Sequence, residues 1–421
     1  MPRTLEPCKK REALSFQKLV APLKKVAQGI TSLVSRGNRP LKMTFEDQLN
    51  ALILFHLEDH TSGRELIQTL QEDEYAREHI APEKGIEKSS FFEAVNSRGL
   101  EQFIGIFEAL QKEARDILPK EHAELGDLVA VDGSLIDATL SMVWADYRKG
   151  AKKAKIHMGF HLNQGIPSRI FLTNGKKGER PFVEKIVAKG QTAVTDRGYQ
   201  GAKNFDAWQK EGIHFSCRIK ANMEKEVVES HEAGGIVFYD AIVYLGAPGN
   251  RTEKPVRVVG YRIDGKDYWV ATDRHDLTAE QIALIYKLRW NIEIFFGWWK
   301  RHLHVYHLIA RTPYGVMVQM LAGLITYLLL AIYCHAEYAE KVSIRRVREL
   351  RIKIRNEAAM MNEIEEDPGG DISKKRCVTC KNLTGQCWGR MERKTFAPQD
   401  QGVVFASVCP LAVDCYYCLA E

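Results

Sequence analysis

From Val316 to Cys334 the chain runs for 19 residues without a charge (VMVQMLAGLITYLLLAIYC), and such a stretch has two stable fates. It spans a bilayer, for which it is at the lower limit of length, or it forms the centre of a domain large enough to bury a helix on every side. Gln319 lies inside it and a polar, aromatic and basic helix ends just before it, so a lone span would be odd topology. A buried core helix is therefore expected, with no membrane association. The first residues, MPRTLEPCKKREAL, lack the apolar run of a signal peptide, which gives a cytoplasmic expectation.

A core of that size fits 421 residues arranged as two or three domains. The net charge of +6 is modest but unevenly placed. Met1 to Met43 carries ten Lys or Arg against two Glu, and Lys341 to Arg355 carries seven against one. Two concentrated basic segments point to a polyanionic partner, because phosphate neutralisation supplies most non-specific nucleic-acid affinity; solvated helix faces remain the plain alternative.

Residues 15 to 124 read as helical, with apolar positions recurring at helical spacing in FEDQLNALILFHL and a capped start at Thr44 with Asp47. The texture changes at Gly126. LVAVDGSLIDATL is a β-type run, KAKIHMGFHLNQGIPSRIFLT gives two strands joined at Asn163 to Gly165, ERPFVEKIVAKG is helical, and QTAVTDRGYQG is a strand ending in Asp196. A helix (AKNFDAWQKEG) and a strand (IHFSCRIK) follow, so a mixed α/β sheet with helices against it is expected. Residues 221–272 are β-rich and read as an insertion, with a hairpin at Asp264-Gly265. Helical periodicity resumes at Thr278, capped by Gln281, and runs through YKLRWNIEIFFGWWKRHLHV.

On that helix Tyr286, Arg289, Glu293 and Lys300 stand at offsets 0, 3, 7 and 14. At about 100° and 1.5 Å per residue they project within roughly 60° of one another over about 21 Å. A carboxylate flanked by two cations and a phenol makes a phosphate-handling face, while Leu288, Trp290, Ile292, Phe295, Phe296 and Trp298 offer apolar surface to bury. Taken alone, the four also fit a surface stripe of ion pairs. Asp132, however, interrupts an apolar strand, and Asp196 ends a second one. A half-buried Asp is costly unless paired or bound to metal, although each Asp by itself also fits a turn or cap. Two such Asp and a helix-borne Glu are what two hard cations need to activate a nucleophile and stabilise a leaving oxygen.

AVDGS, TDRGYQG and YKLRWNIEIFFGWWKRHL together resemble the three signature regions of bacterial insertion-sequence transposases, in the DDE subgroup (insertion-sequence family four) marked by Tyr-x2-Arg-x3-Glu-x6-Lys. The resemblance runs from about Gly126 to His335. It implies a ribonuclease H-like core, with Asp132, Asp196 and Glu293 binding Mg2+ or Mn2+ and Tyr286, Arg289 and Lys300 holding phosphates of the transposon end. It further implies cut-and-paste chemistry on double-stranded DNA at terminal inverted repeats, strand transfer into target DNA, and a homodimer that synapses two ends. Part of the family flips a base at the transposon end, and Trp269 is the candidate stacking platform, with an ordinary hairpin Trp the equal alternative. A catalytically idle DNA-binding descendant is the rival reading; the intact three acids speak against it.

The expected organisation is a basic helical DNA-binding region (1–125), a catalytic core in two parts (126–220 and 273–340) separated by the insertion (221–272), and a basic helix with a Cys-rich tail (341–421). Cys377, Cys380, Cys415 and Cys418 form two C-x2-C pairs in zinc-site format, more widely separated than usual. Cys8, Cys217 and Cys334 read as incidental or core residues, and His157 and His161 as structural residues of a strand.

Overall fold

The computed structural model describes residues 15–34, 41–58, 60–82 and 85–366. Six helices precede the first strand: α1 (Ser15–Val26), α2 (Phe45–Leu57), α3 (Gly63–Glu72), α4 (Glu74–His79), α5 (Lys88–Ser97) and α6 (Leu100–Ile117). The start of α2 is a reciprocal cap, with the Asp47 N–H donating to Thr44 Oγ1 (3.1 Å) and the Thr44 N–H to Asp47 Oδ2 (2.8 Å). Two of the helix's orphan N–H groups are thereby satisfied.

The strands are β1 (Leu128–Ala138), β2 (Asp146–Arg148), β3 (Ala151–His161), β4 (Ile166–Asn174) and β5 (Thr192–Thr195). Between the last two lies a tight turn, Arg180–Phe182, leading into the one-turn helix α7 (Val183–Ile186). Then come α8 (Ala202–Lys210), β6 (His214–Arg218), β7 (Lys225–Ser230), β8 (Val237–Leu245), β9 (Val256–Ile263) and β10 (Lys266–Thr272). All ten strands join one sheet of order β2-β3-β1-β5-β6-β10-β9-β8-β7, with β4 also on β3. Only β1–β5 and β5–β6 run parallel among the described pairs.

Residues 221–272 extend this sheet rather than standing apart from it, because β10 pairs antiparallel with β6 (Val270↔Arg218). Ile263 pairs with Lys266 across Asp264-Gly265, and both turn residues have positive φ (50° and 72°). That is the two-residue loop whose twist matches the strands it joins.

Side-chain alternation gives the sheet two faces. On one, Val129, Val131, Ala193, Phe215 and Ala271 pack with Phe182, Ile186, Phe205 and Trp208. The other is covered by α9 (Ala279–Leu288), α10 (Trp290–His302) and α11 (Pro313–Tyr338); α12 (Ile344–Glu366) follows. Thr278 and Gln281 cap α9 reciprocally.

The uncharged stretch forms the middle of α11, and α1, α2, α5, α6 and β4 pack around it. It is a core helix of this protein and not a membrane span. Gln319 is polar there for a reason: its amide donates to His307 O (2.8 Å) and accepts from the Ile309 N–H (3.0 Å). His56 of α2 lies against Leu303 O (2.6 Å) and Gln319 O (3.1 Å). α2 and α11 thus fix the segment leaving α10, and with it the far end of that helix.

His56, His157 and His161 are all buried, and burial first of all pulls each imidazole down to about 4. The unfolded chain takes up these protons near pH 6.5 and the folded chain resists until about 4. This contribution to stability is therefore full above pH 6.5 and is lost as the pH falls toward 4. Moving from pH 7 to pH 5 should cost about 1–2 kcal/mol for each histidine. Urea midpoints at the two pH values measure it, and equal midpoints would show that the three do not titrate this way.

Candidate active site

The first two acids are brought together by strand register. β1 and β5 pair in parallel as Leu128↔Thr192, Val129↔Ala193 and Ala130↔Val194. Continued by two residues, that register sets Asp132 beside Asp196, on strands about 4.8 Å apart and on the same face. That face is the one under α10, since Phe160, the partner of Ala130, packs on Phe295 (4.8 Å). Each carboxylate is steadied by its own backbone: Asp132 Oδ1 accepts from the Gly133 N–H (2.7 Å) and Asp196 Oδ1 from the Gly198 N–H (2.8 Å). Asp196 is thus a turn residue and a member of the acidic pair at once.

The third acid comes from α10. The expected single helix is divided at Arg289: α9 ends at Leu288, α10 begins at Trp290, and i→i+3 bonds flank the joint (Arg289 N–H to Tyr286 O and Ile292 N–H to Arg289 O, both 3.2 Å). This tightened turn is a correction to the straight-helix projection. Two of its four side chains, Arg289 and Lys300, nevertheless lie near enough to Asp132 to act on its charge. Arg289 is buried, bonds the Glu293 carboxylate, lies over the Tyr286 ring (5.6 Å) and lends its charge to Asp132. Lys300 Nζ donates to Leu135 O of β1 (2.7 Å), three residues beyond Asp132.

Asp132 carries the main electrostatic tension. Burial pushes its carboxyl up to about 7; Glu179 and Asp196 raise it further, while the Gly133 N–H and Arg289 oppose the rise. A carboxylate held among other carboxylates in a poorly solvated place is stabilised in its charged form by a cation. The Asp132–Asp196 pair fits a hard divalent ion on that ground. Glu293 faces Arg289 in this structure, and among the described residues no three acidic, His or Cys side chains converge at metal-ligand distance. Arg289 Nε is buried with no hydrogen-bond partner. A donor so left costs about 1–3 kcal/mol, which an anionic oxygen would recover.

Other residues stand apart from their sequence expectation. Trp269 is not brought to this site. On β10 its neighbour Tyr268 faces Tyr286 (6.3 Å), so Trp269 points to the opposite face, against Phe238 (5.3 Å) and Tyr239 (5.0 Å) with Lys225 over its ring (4.5 Å). Trp290 is 57% exposed rather than buried and shares an open edge of α10 with Ile294. His157 and His161 lie on the face of β1 opposite Asp132, paired with Gly133 and Val129. Cys217 and Cys334 are buried thiols, whereas Cys8, Cys377, Cys380, Cys415 and Cys418 lie outside the described residues.

Three residues of this neighbourhood are not singled out by the sequence, although Tyr199 lies within the TDRGYQG run. Arg218, at the end of β6, lies over the Tyr268 ring (4.8 Å), beside Tyr286. Tyr199, three residues after Asp196, is buried; burial and then the charges of Glu179, Asp132 and Asp196 push its phenol well above the ordinary range. Glu179 lies against Gly133, where an added Cβ would come within 2.5 Å of its Oε1. The Gly after Asp132 is the single trace that such a neighbour leaves in a sequence.

A family model described as a transposase DDE domain matches residues 124–329, a span that includes Asp132, Asp196 and the whole of α10. A probable transposase for insertion sequence element IS5377 of Geobacillus stearothermophilus is 31% identical over 192 residues, which are 44% of this chain and 51% of that relative. The chain therefore spans about half the length of that relative. A putative transposase for insertion sequence element IS4SA of Synechocystis is 25% identical over 278 residues, 63% of this chain and 77% of the relative. The putative transposase y4zB of Sinorhizobium fredii is 27% identical over 243 residues, 55% and 68% of the two chains. The matched span coincides with the sheet, the paired aspartates and the helix that covers them, and over that span the chain is similar to the DDE transposases of bacterial insertion sequences.

Proposed function

We propose that this chain is an active, metal-dependent DNA transposase of the Tyr-Arg-Glu-Lys subgroup, built on a ribonuclease H-like core and acting at terminal inverted repeats by cut-and-paste. The observation that carries this reading is the β1–β5 register, which sets Asp132 beside Asp196 under the helix bearing Glu293. The antiparallel β4-β3-β1 meander followed by parallel β5 and β6 supports the core assignment.

Asp132, Asp196 and Glu293 would hold Mg2+ or Mn2+. When bound, the ions lower the pKa of an attacking water or 3′-hydroxyl and neutralise charge on the leaving oxygen. The chain's own groups do the rest. Arg289, with a buried donor free of protein partners on Nε, takes a phosphate oxygen of the transposon end. Tyr286 and Arg218 flank that phosphate, and Lys300, anchored on Leu135 O, meets the next one. A phosphate on Arg289 would free Glu293 from its ion pair, and Glu293 would then be available to join Asp132 and Asp196 in holding the ion. The basic helix α1 and the basic first half of α12 supply further phosphate contacts, and two copies synapse two ends.

The test is cleavage of a duplex carrying the inverted repeats that flank the gene. Wild type should cut at the repeat ends in Mg2+, and Glu293→Gln should bind the same ends without cutting them. Wild-type protein that binds the ends yet cuts in neither Mg2+ nor Mn2+ would make the idle DNA-binding descendant the better account.

A further inference from the structure

Glu179 and Arg180 are consecutive residues in the loop after β4, and they reach the carriers of both paired aspartates. Glu179 occupies the space beside Gly133 where any side chain would have to go: an added Cβ there would lie 2.5 Å from Oε1 and 2.6 Å from Cδ. It is held in place by Lys155 (2.7 Å), whose Nζ also bonds Lys177 O (3.2 Å). Arg180 turns the other way, its Nε donating to Gly198 O (2.8 Å), in the turn whose N–H steadies Asp196. The segment is moored behind them, because the Phe182 N–H bonds Glu179 O (3.0 Å) and the Phe182 ring lies flat on His157 (3.8 Å, 7°), the strand partner of Gly133.

We propose that Glu179 and Arg180 act as a positioning brace that fixes the Asp132 and Asp196 carriers relative to each other, and so sets how tightly the pair holds its divalent ion. β1 and β5 are hydrogen-bonded only as far as Ala130↔Val194, so both aspartates lie past the end of the ladder. The brace joins the two carriers where the ladder no longer does. Neither residue touches DNA or metal in this role; they act through Gly133 and Gly198. Partners that orient metal ligands from behind are worth about 10–100-fold in metal affinity.

The inference rests on the metal-dependent reading, and the test separates the two. Mn2+ is titrated into the full-length chain bound to a duplex carrying the terminal repeat, and bound ion is read by electron paramagnetic resonance. Glu179→Gln and Arg180→Met should weaken Mn2+ binding at least about tenfold, with DNA affinity and Tm unchanged, and Arg180→Lys should recover most of it. Arg180 is exposed, so its variants do not disturb the core. Gly133→Ala should weaken binding similarly, yet add nothing in a Glu179→Ala background, where the space has been cleared. Wild-type Mn2+ affinity in Glu179→Gln and Arg180→Met would overturn the brace while leaving the metal site intact. Loss of DNA affinity with Mn2+ binding preserved in Arg180→Met would overturn it in favour of a phosphate contact. A wild-type complex that binds no Mn2+ would bring down the metal-dependent reading and the brace with it.

Discussion

Asp132→Asn is expected to lose strand cleavage by about three orders of magnitude or more, roughly 4 kcal/mol of transition-state stabilisation, and to gain thermal stability. Both effects have the same cause. Asp132 is part of the sheet by its backbone and sits beside Asp196 by register. Asn keeps that geometry but cannot supply charge to a cation. Burial, chiefly, with Glu179 and Asp196 adding to it, raises the Asp132 carboxyl to about 7. A carboxyl whose folded value lies above its unfolded value of 3.8 destabilises the fold as the pH rises through that window. Removing the charge at neutral pH should therefore raise Tm by several degrees while abolishing cutting, the exchange of stability for activity expected of a catalytic carboxylate. Calorimetry and a cleavage assay on one preparation measure both, and a variant that is less stable than wild type would contradict the electrostatic account.

Asp240→Ala is expected to cost about 3–5 kcal/mol, the largest single loss of stability in the sheet extension. Asp240 on β8 takes two bonds from Arg257 on β9 (2.8 and 2.7 Å), and their side chains are only 4% and 10% exposed. Arg257 also donates to Leu277 O (2.5 Å), the residue before the Thr278 cap of α9. Deleting the carboxylate strands a buried guanidinium between the sheet and the helix that carries Tyr286. Replacing both partners with apolar residues of similar size removes the stranded charge, so Asp240→Leu with Arg257→Met should recover most of the loss. Urea unfolding of the single and double variants measures this. A double variant no better than Asp240→Ala would show that the pair matters for more than charge balance.

Features that depend on local chemistry were legible in the sequence. Both reciprocal caps, at Thr44 and Thr278, and the Asp264-Gly265 hairpin form as read, because each is decided within four residues. The uncharged stretch could be assigned to the core because Gln319 needed a protein environment to satisfy it, and it has one. The paired aspartates were legible as acids in apolar strands. Their adjacency was not, since it depends on a parallel register between strands about sixty residues apart.

What the sequence hid is decided by tertiary packing. No Pro or Gly marks the division at Arg289, where helical periodicity continues unbroken. Trp269 and Tyr268 are both aromatic, and only the register of β10 against β6 and β9 determines which faces Tyr286. Trp290 reads as core by composition and lies on the open edge of α10. Glu179 and Arg218 are charged residues near strand ends, indistinguishable in the sequence from solvated ones.

The most direct test of the central claim, that Asp132 holds the divalent ion at a strand-cleaving centre, is single-turnover cleavage of a terminal-repeat duplex by Asp132→Cys in Mg2+ and in Mn2+. A thiolate binds the softer Mn2+ better than Mg2+. The account predicts no cutting in Mg2+ and partial recovery in Mn2+, with DNA affinity unchanged throughout. Cutting by Asp132→Cys in Mg2+ at the wild-type rate would contradict it.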